Sequence, residues 1–138
     1  MQLDKRLTTE ARILAKYFPT FAVQTGVVTG TLTSNSETTY GIRLDTPSFP
    51  EKMPSVYVTS PVLYTHDGRR LSQLEPSGRM HILNPDPAGN PQICHWHPRL
   101  WATDVTLYQV IMKARVWLEA WEQHRLTGQP LDRYLPHT

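Results

Sequence analysis

Residues 64–103 show little regular hydrophobic period, and that gap constrains the fold more than any other feature of the chain. The stretch contains "HDG", "PSG", "NPDPAGNP" and "HP", a dense set of turn signals. A loop region of this length in a small domain is usually functional or disordered. It also holds the only cysteine, four of the six histidines and two of the four tryptophans, which does not fit low-complexity disorder. It therefore reads as an ordered, functional loop, and regular structure is left to the residues on either side.

Before it, residues 3–18 read as a helix. Leu7, Ala11, Leu14 and Phe18 recur at spacings of four, three and four, and Pro19 stops the run. Residues 21–63 read as three strands: "FAVQTGVVTG", "TTYGIRL" with Tyr40, Ile42 and Leu44 on one face, and "SVYVTSPVLY". The polar run "TSNSET" makes a hairpin connection between the first two. Prolines 47, 50 and 54 keep "TPSFPEKMP" extended and irregular.

After the loop, residues 104–127 give the strongest helix, with Asp104 or Thr103 as N-cap. Leu107, Ile111, Ala114, Leu118 and Trp121 form its apolar face, and Gly128 and Pro130 end it. "LDRYLPHT" reads as a short tail. Helix, antiparallel meander, cysteine-bearing loop and helix together give an α+β layout.

The 138 residues fit one domain, 1–138, long enough for a core without disulfides or structural metals. The formal charge of +2 comes with 14 scattered basic residues, so no nucleic-acid footprint is expected. One cysteine forms no internal disulfide, and the charged N-terminus lacks the apolar stretch of a signal peptide. No apolar run approaches the ~18 residues that span a bilayer. A cytoplasmic protein without membrane attachment is the expectation.

The chemistry concentrates in "PQICHWHP" (91–98). Cys94 is a candidate nucleophile, since a thiolate is strongly nucleophilic and its acyl thioester stays reactive toward amines. His95 and His97 can favour the thiolate as imidazolium or act as bases. Plainer readings stand beside these. Cys94 can be a small buried hydrophobe, and the two histidines can face solvent. Zinc held by Cys94, His97 and His81 or His66 lacks the usual ligand spacings, so no metal or cofactor is expected. Trp117 and Trp121 share a helical face, and Asn84 and Asn90 suit turns.

Several stretches together resemble the ubiquitin-conjugating enzyme (UBC) fold over most of the chain. "FPEKMP" (49–54) is similar to that family's Tyr-Pro-x-x-x-Pro segment, with Phe49 for tyrosine. "GNPQICHW" resembles its Gly-x-Ile-Cys stretch. "LWATDVTLYQVI" (100–111) resembles its Trp-Ser-Pro-x-x-Thr-Leu stretch through Trp101, Thr106 and Leu107. "WLEAWEQHRLTGQP" (117–130) resembles a segment of bacterial conjugating-enzyme-like proteins from antiphage operons of the CBASS type.

The resemblance implies a UBC-like fold and a transferase that holds an acyl group on Cys94. It implies as partner the C-terminus of a cGAS-like nucleotidyltransferase, with the chain acting alone or beside a separate activating enzyme. Where the family has His-Pro-Asn, His81 is followed by Ile82 and Leu83, and neither Asn84 nor Asn90 has the family's spacing to Cys94. His81, either asparagine or a backbone N–H is then the oxyanion donor, and Asp86 or Asp104 the group that prepares the amine. The implied site is Cys94, His81, His95 and His97. The competing expectation is a non-catalytic binding module on the same fold.

Overall fold

The computed structural model describes residues 3–135. Helix α1 (Lys5–Tyr17) starts at Asp4, whose carboxylate accepts the Leu7 N–H at 2.7 Å. Leu7 and Leu14 are buried as their spacing requires, and Ala11 and Phe18 are half-buried.

Glu10 is buried as well, at 2 % exposure, which the apolar pattern does not foresee. Its carboxylate accepts from Arg6 Nε at 2.9 Å and from the Leu107 N–H at 2.7 Å. Leu107 is the first residue of helix α2 (Leu107–Thr127), where the helix dipole favours a negative charge. Arg6 also donates to the carbonyls of Thr103 and Val105 at 2.6 and 2.9 Å. The pair thus ties the start of α2 to the middle of α1.

The α2 N-cap is Thr106, not Asp104 or Thr103. Thr106 accepts the Gln109 N–H at 3.1 Å, and the Gln109 side chain accepts the Thr106 N–H at 2.9 Å. Only Thr106 has a glutamine three residues on; Thr103 and Asp104 have Thr106 and Leu107 there. The far end closes at Gly128, whose left-handed φ of 78° turns its N–H onto the His124 carbonyl. The whole expected apolar face is buried, and Val110, Trp117, Ala120 and His124 widen it.

Six strands form one antiparallel sheet: β1 (Ala22–Gln24), β2 (Val27–Thr33), β3 (Thr39–Asp45), β4 (Ser55–Ser60), β5 (Ile82–Leu83) and β6 (Gln92–Ile93). Their order is β1-β2-β3-β4-β6-β5. The expected first strand is a hairpin, because Gly26 takes φ 84° and reverses the chain. The long turn-rich stretch is not all loop, since β5 and β6 extend the sheet beyond β4. Two-residue strands are too short to show a period.

One sheet face is apolar. Val28, Leu32, Ile42, Leu44, Val56 and Val58 are buried there in one cluster with Leu14 and the inner face of α2. Each such side chain stabilises the fold by about 1.5–3 kcal/mol. Glu122 of α2 fastens the β2–β3 turn, accepting from Tyr40 Oη at 2.6 Å, Ser34 Oγ at 2.7 Å and Ser36 Oγ at 2.8 Å. The expected tail begins with a 3₁₀ turn, Leu131–Arg133, that buries Leu131; residues 136–138 lie outside the described residues. Among the described residues no helix is long and apolar enough to cross a membrane.

Glu10→Ala leaves Arg6 and the Leu107 N–H without their shared acceptor. Urea unfolding is expected to show a loss of about 2–3 kcal/mol. Glu10→Gln, which keeps an acceptor, is expected to lose less; equal losses would mean that the anchor is only packing.

Candidate active site

The cysteine is placed from its N-terminal side by the sheet. Ile93 is fully buried and pairs with Val56 on one flank and Ile82 on the other. Cys94 follows and donates its N–H to the His81 carbonyl at 2.8 Å. The same carbonyl accepts the Trp117 indole N–H at 3.0 Å. His81 reaches this position with a left-handed φ of 51°. Its ring is buried, with Nε2 3.4 Å from Asp132 Oδ1.

The turn leading into β6 is held by Asp86. Its carboxylate accepts the Asn90 N–H at 2.8 Å, the Asn90 side-chain amide at 2.9 Å and Arg43 of β3 at 2.8 Å. Burial alone would raise the Asp86 pKa, but the Asn90 hydrogen bonds and the Arg43 guanidinium hold it at about 2. Asn90 thus serves its turn, and Asn84 is exposed. Neither reaches the cysteine's cavity as an oxyanion donor. Asp86 is committed to the turn and Asp104 is exposed, so neither lines that cavity to prepare an amine.

After Cys94 the chain is held by aromatic contacts. Trp101 packs edge-on against Trp96 and Phe49 and donates its indole N–H to the Pro50 carbonyl at 2.9 Å. His97 is exposed, and its Nδ1 accepts the Arg99 N–H, capping the 3₁₀ turn Pro98–Leu100.

These supports open a cavity of about 430 Å³. Cys94, His81, His95 and His97 all line it, so the structure brings the four residues singled out in the sequence together. Comparison with protein-family models, curated proteins and solved structures finds no match. The site is therefore read from its own chemistry.

Cys94 is half-buried, and burial pushes its thiol pKa up. His95 is buried, and neither ring nitrogen finds a hydrogen-bond partner. Burial pulls its pKa down to about 4, and the nearby Ile93 backbone offsets only part of that. His95 is therefore a neutral imidazole at pH 7. The expectation that a neighbouring imidazolium stabilises a thiolate fails for this residue, because the pocket that holds the ring excludes the water its charged form needs. Cys94 rests as a thiol.

The sequence reading missed the far wall, where α2 contributes Lys113, Val116 and Trp117. The Lys113 ammonium sits 5.7 Å from the Trp96 ring centroid. A lysine three and four residues before Val116 and Trp117 shares their helical face, and that spacing is the available signal. His66, named as a possible zinc ligand, borders a different cavity with His124. Among the described residues no three His, Cys, Asp or Glu side chains gather into a metal site.

The unfolded chain binds a proton at His95 near pH 6.5 and the folded chain only near 4, so stability is complete above pH 6.5 and falls as the pH drops to 4. The expected loss over that window is about 3 kcal/mol, read as a falling urea midpoint. In His95→Leu the slope between pH 6.5 and 4 should flatten; an unchanged slope would assign the acid sensitivity to other groups. For Cys94, alkylation by iodoacetamide at pH 7 is expected to be slower than for free cysteine and to keep rising beyond pH 9. A rate plateau below pH 8 would mean an activated thiolate.

Proposed function

We propose that the chain is a ubiquitin-conjugating-enzyme-like acyl carrier on a UBC-like fold. The Cys94 sulfur, losing its proton as it attacks, adds to the activated C-terminal carbonyl of a protein partner and expels the activating group. An amine nitrogen then attacks the thioester, Cys94 departs as thiolate, and the amine gives up a proton to base. One observation carries the reading: the single cysteine lies in an open cavity with three histidines and a lysine. The chain order of helix, meander, cysteine and helix supports it. So does the packing of Phe49 and Pro50 on Trp101, which joins two of the segments that resemble the family. The partner we propose is the C-terminus of a cGAS-like nucleotidyltransferase in antiphage defence, delivered directly or by a separate activating enzyme. That identification rests on the resemblance alone.

The raised Cys94 pKa and the neutral His95 favour a second reading, a non-catalytic module that positions a partner on the same fold. The two separate by intact mass, measured without reductant on protein purified from cells that express its neighbouring genes. The acyl-carrier reading expects a protein-sized adduct that hydroxylamine removes, that reductant alone leaves, and that Cys94→Ala lacks. An unadducted chain whose folded thiol also ignores a thiol reagent would make it the module.

A further inference from the structure

A second cavity, of about 340 Å³, opens where α2 ends and shares no residue with the one beside Cys94. The turn 65–69 forms one wall, Leu74, Arg79 and Met80 another, and Gly128 and Pro130 a third, with buried His124 among them. Hydrogen bonds fix these walls. The turn closes through the Thr65 N–H, which donates to the Arg69 carbonyl at 2.7 Å. The His66 N–H donates to His124 Nε2 at 3.1 Å, and His124 Nδ1 therefore carries the proton that it donates to the Gln129 carbonyl at 2.7 Å. His66 Nδ1 donates to the Arg125 carbonyl at 2.8 Å. With the bond from the Gly128 N–H to the His124 carbonyl, this covers carbonyls at the negative end of α2. A Cβ at Gly128 would come within 3.0 Å of the His66 ring, so that ring is packed as part of the wall.

What the walls leave over is a surplus of donors. Asp67 is the one carboxylate that lines the cavity among the described residues, and it is already engaged. It accepts from the Thr65 hydroxyl and from Arg69 Nε, the latter at 3.1 Å. The Thr65 hydroxyl, and after it Arg69, hold its carboxyl below the ordinary range, so it stays ionised and balances one arginine. The Nη groups of Arg69 and the whole Arg79 guanidinium make no hydrogen bond or ion pair among the described residues. One net positive charge and a set of planar N–H donors remain, which is the chemistry that recognises a phosphate. Leu74, Met80 and Pro130 add an apolar side. The volume lies at the small end of the range for small-molecule sites.

We infer that this cavity binds a small organic phosphate monoester, with the phosphate on Arg69 and Arg79 and an apolar body against Leu74, Met80 and Pro130. The assignment is independent of what Cys94 does. The two cavities are nevertheless adjoining in the chain, because Met80 lines this one and His81 the other.

The test is isothermal titration calorimetry on the whole chain near neutral pH, with phenyl phosphate, inorganic phosphate, benzoate and ribose 5-phosphate as probes. Phenyl phosphate is expected to bind tightest, and inorganic phosphate about ten-fold weaker for want of the apolar body. Arg79→Met is expected to weaken phenyl phosphate about ten-fold. Arg12→Met, which removes an exposed arginine of α1 that lines neither cavity, is expected to leave it unchanged. Asp67→Asn removes the competing carboxylate and is expected to tighten binding about three-fold, a sign that damage to the fold would not produce. Circular dichroism checks that each variant is folded. Should Asp67→Asn not fold, Arg79→Met at an exposed position still decides the phosphate contact. No binding of phenyl phosphate up to about 10 mM, equal weakening by Arg12→Met and Arg79→Met, or weaker binding by folded Asp67→Asn would overturn the inference. Benzoate binding as tightly as phenyl phosphate would overturn the phosphate class, and ribose 5-phosphate binding more tightly would overturn the apolar body.

Discussion

The carbonyl of His81 accepts two hydrogen bonds, from the Cys94 amide at 2.8 Å and the Trp117 indole at 3.0 Å, and the geometry of the site follows from that atom. β6 is two residues long and cannot by itself hold the residue after it. A buried indole N–H must find an acceptor. One carbonyl oxygen with two lone pairs meets both needs, and so locks the end of the sheet to the middle of α2. The left-handed φ of His81 costs on the order of 1 kcal/mol and is offset by those two bonds. Trp117 in turn stacks on Trp121, nearly parallel at 5.8 Å, so the cysteine inherits the position of the helix.

The helix is positioned by two carboxylates that pure apolar packing would not provide. Glu10 reaches across from α1 to the first N–H of α2, and Glu122 reaches from α2 to the β2–β3 turn. These bonds are directional, whereas apolar contact tolerates a small slide or rotation along the helix axis. A slide of α2 would move Lys113 and Val116 away from Cys94 while leaving most of the core buried. The polar anchors therefore define the cavity, and the apolar cluster supplies most of the stability.

What could be read from the sequence follows from which interactions leave a period. The face of α2 through Leu107, Ile111, Ala114, Leu118 and Trp121 shows at 3.6 residues, and β3 shows at two through Tyr40, Ile42 and Leu44; all eight are buried. Cys94, His81, His95 and His97 were legible as candidates by residue type and clustering, and they meet in one cavity. Glu10 was not legible, because a charged residue beside an apolar face reads as solvated until its distant partner is known. β5 and β6 were hidden by brevity. The burial of His95 was hidden because a loop carries no period that marks an inside or an outside. Lys113 was overlooked because its role depends on what packs opposite it.

The acid–base state of the cavity bears on what a thioester there would do. Burial that keeps Cys94 protonated also makes its thiolate a poor leaving group and, once formed, a strong nucleophile. Such a thiol accepts an activated acyl group from a better leaving group and gives it up slowly. His95, neutral and with a pKa near 4, is too weak a base to change this at pH 7. On the acyl-carrier reading, discharge then depends on bringing an amine to the carbonyl and on charge supplied to the oxyanion, not on a standing thiolate–imidazolium pair. Lys113 lines that cavity from α2, the helix that the His81 carbonyl ties to Cys94.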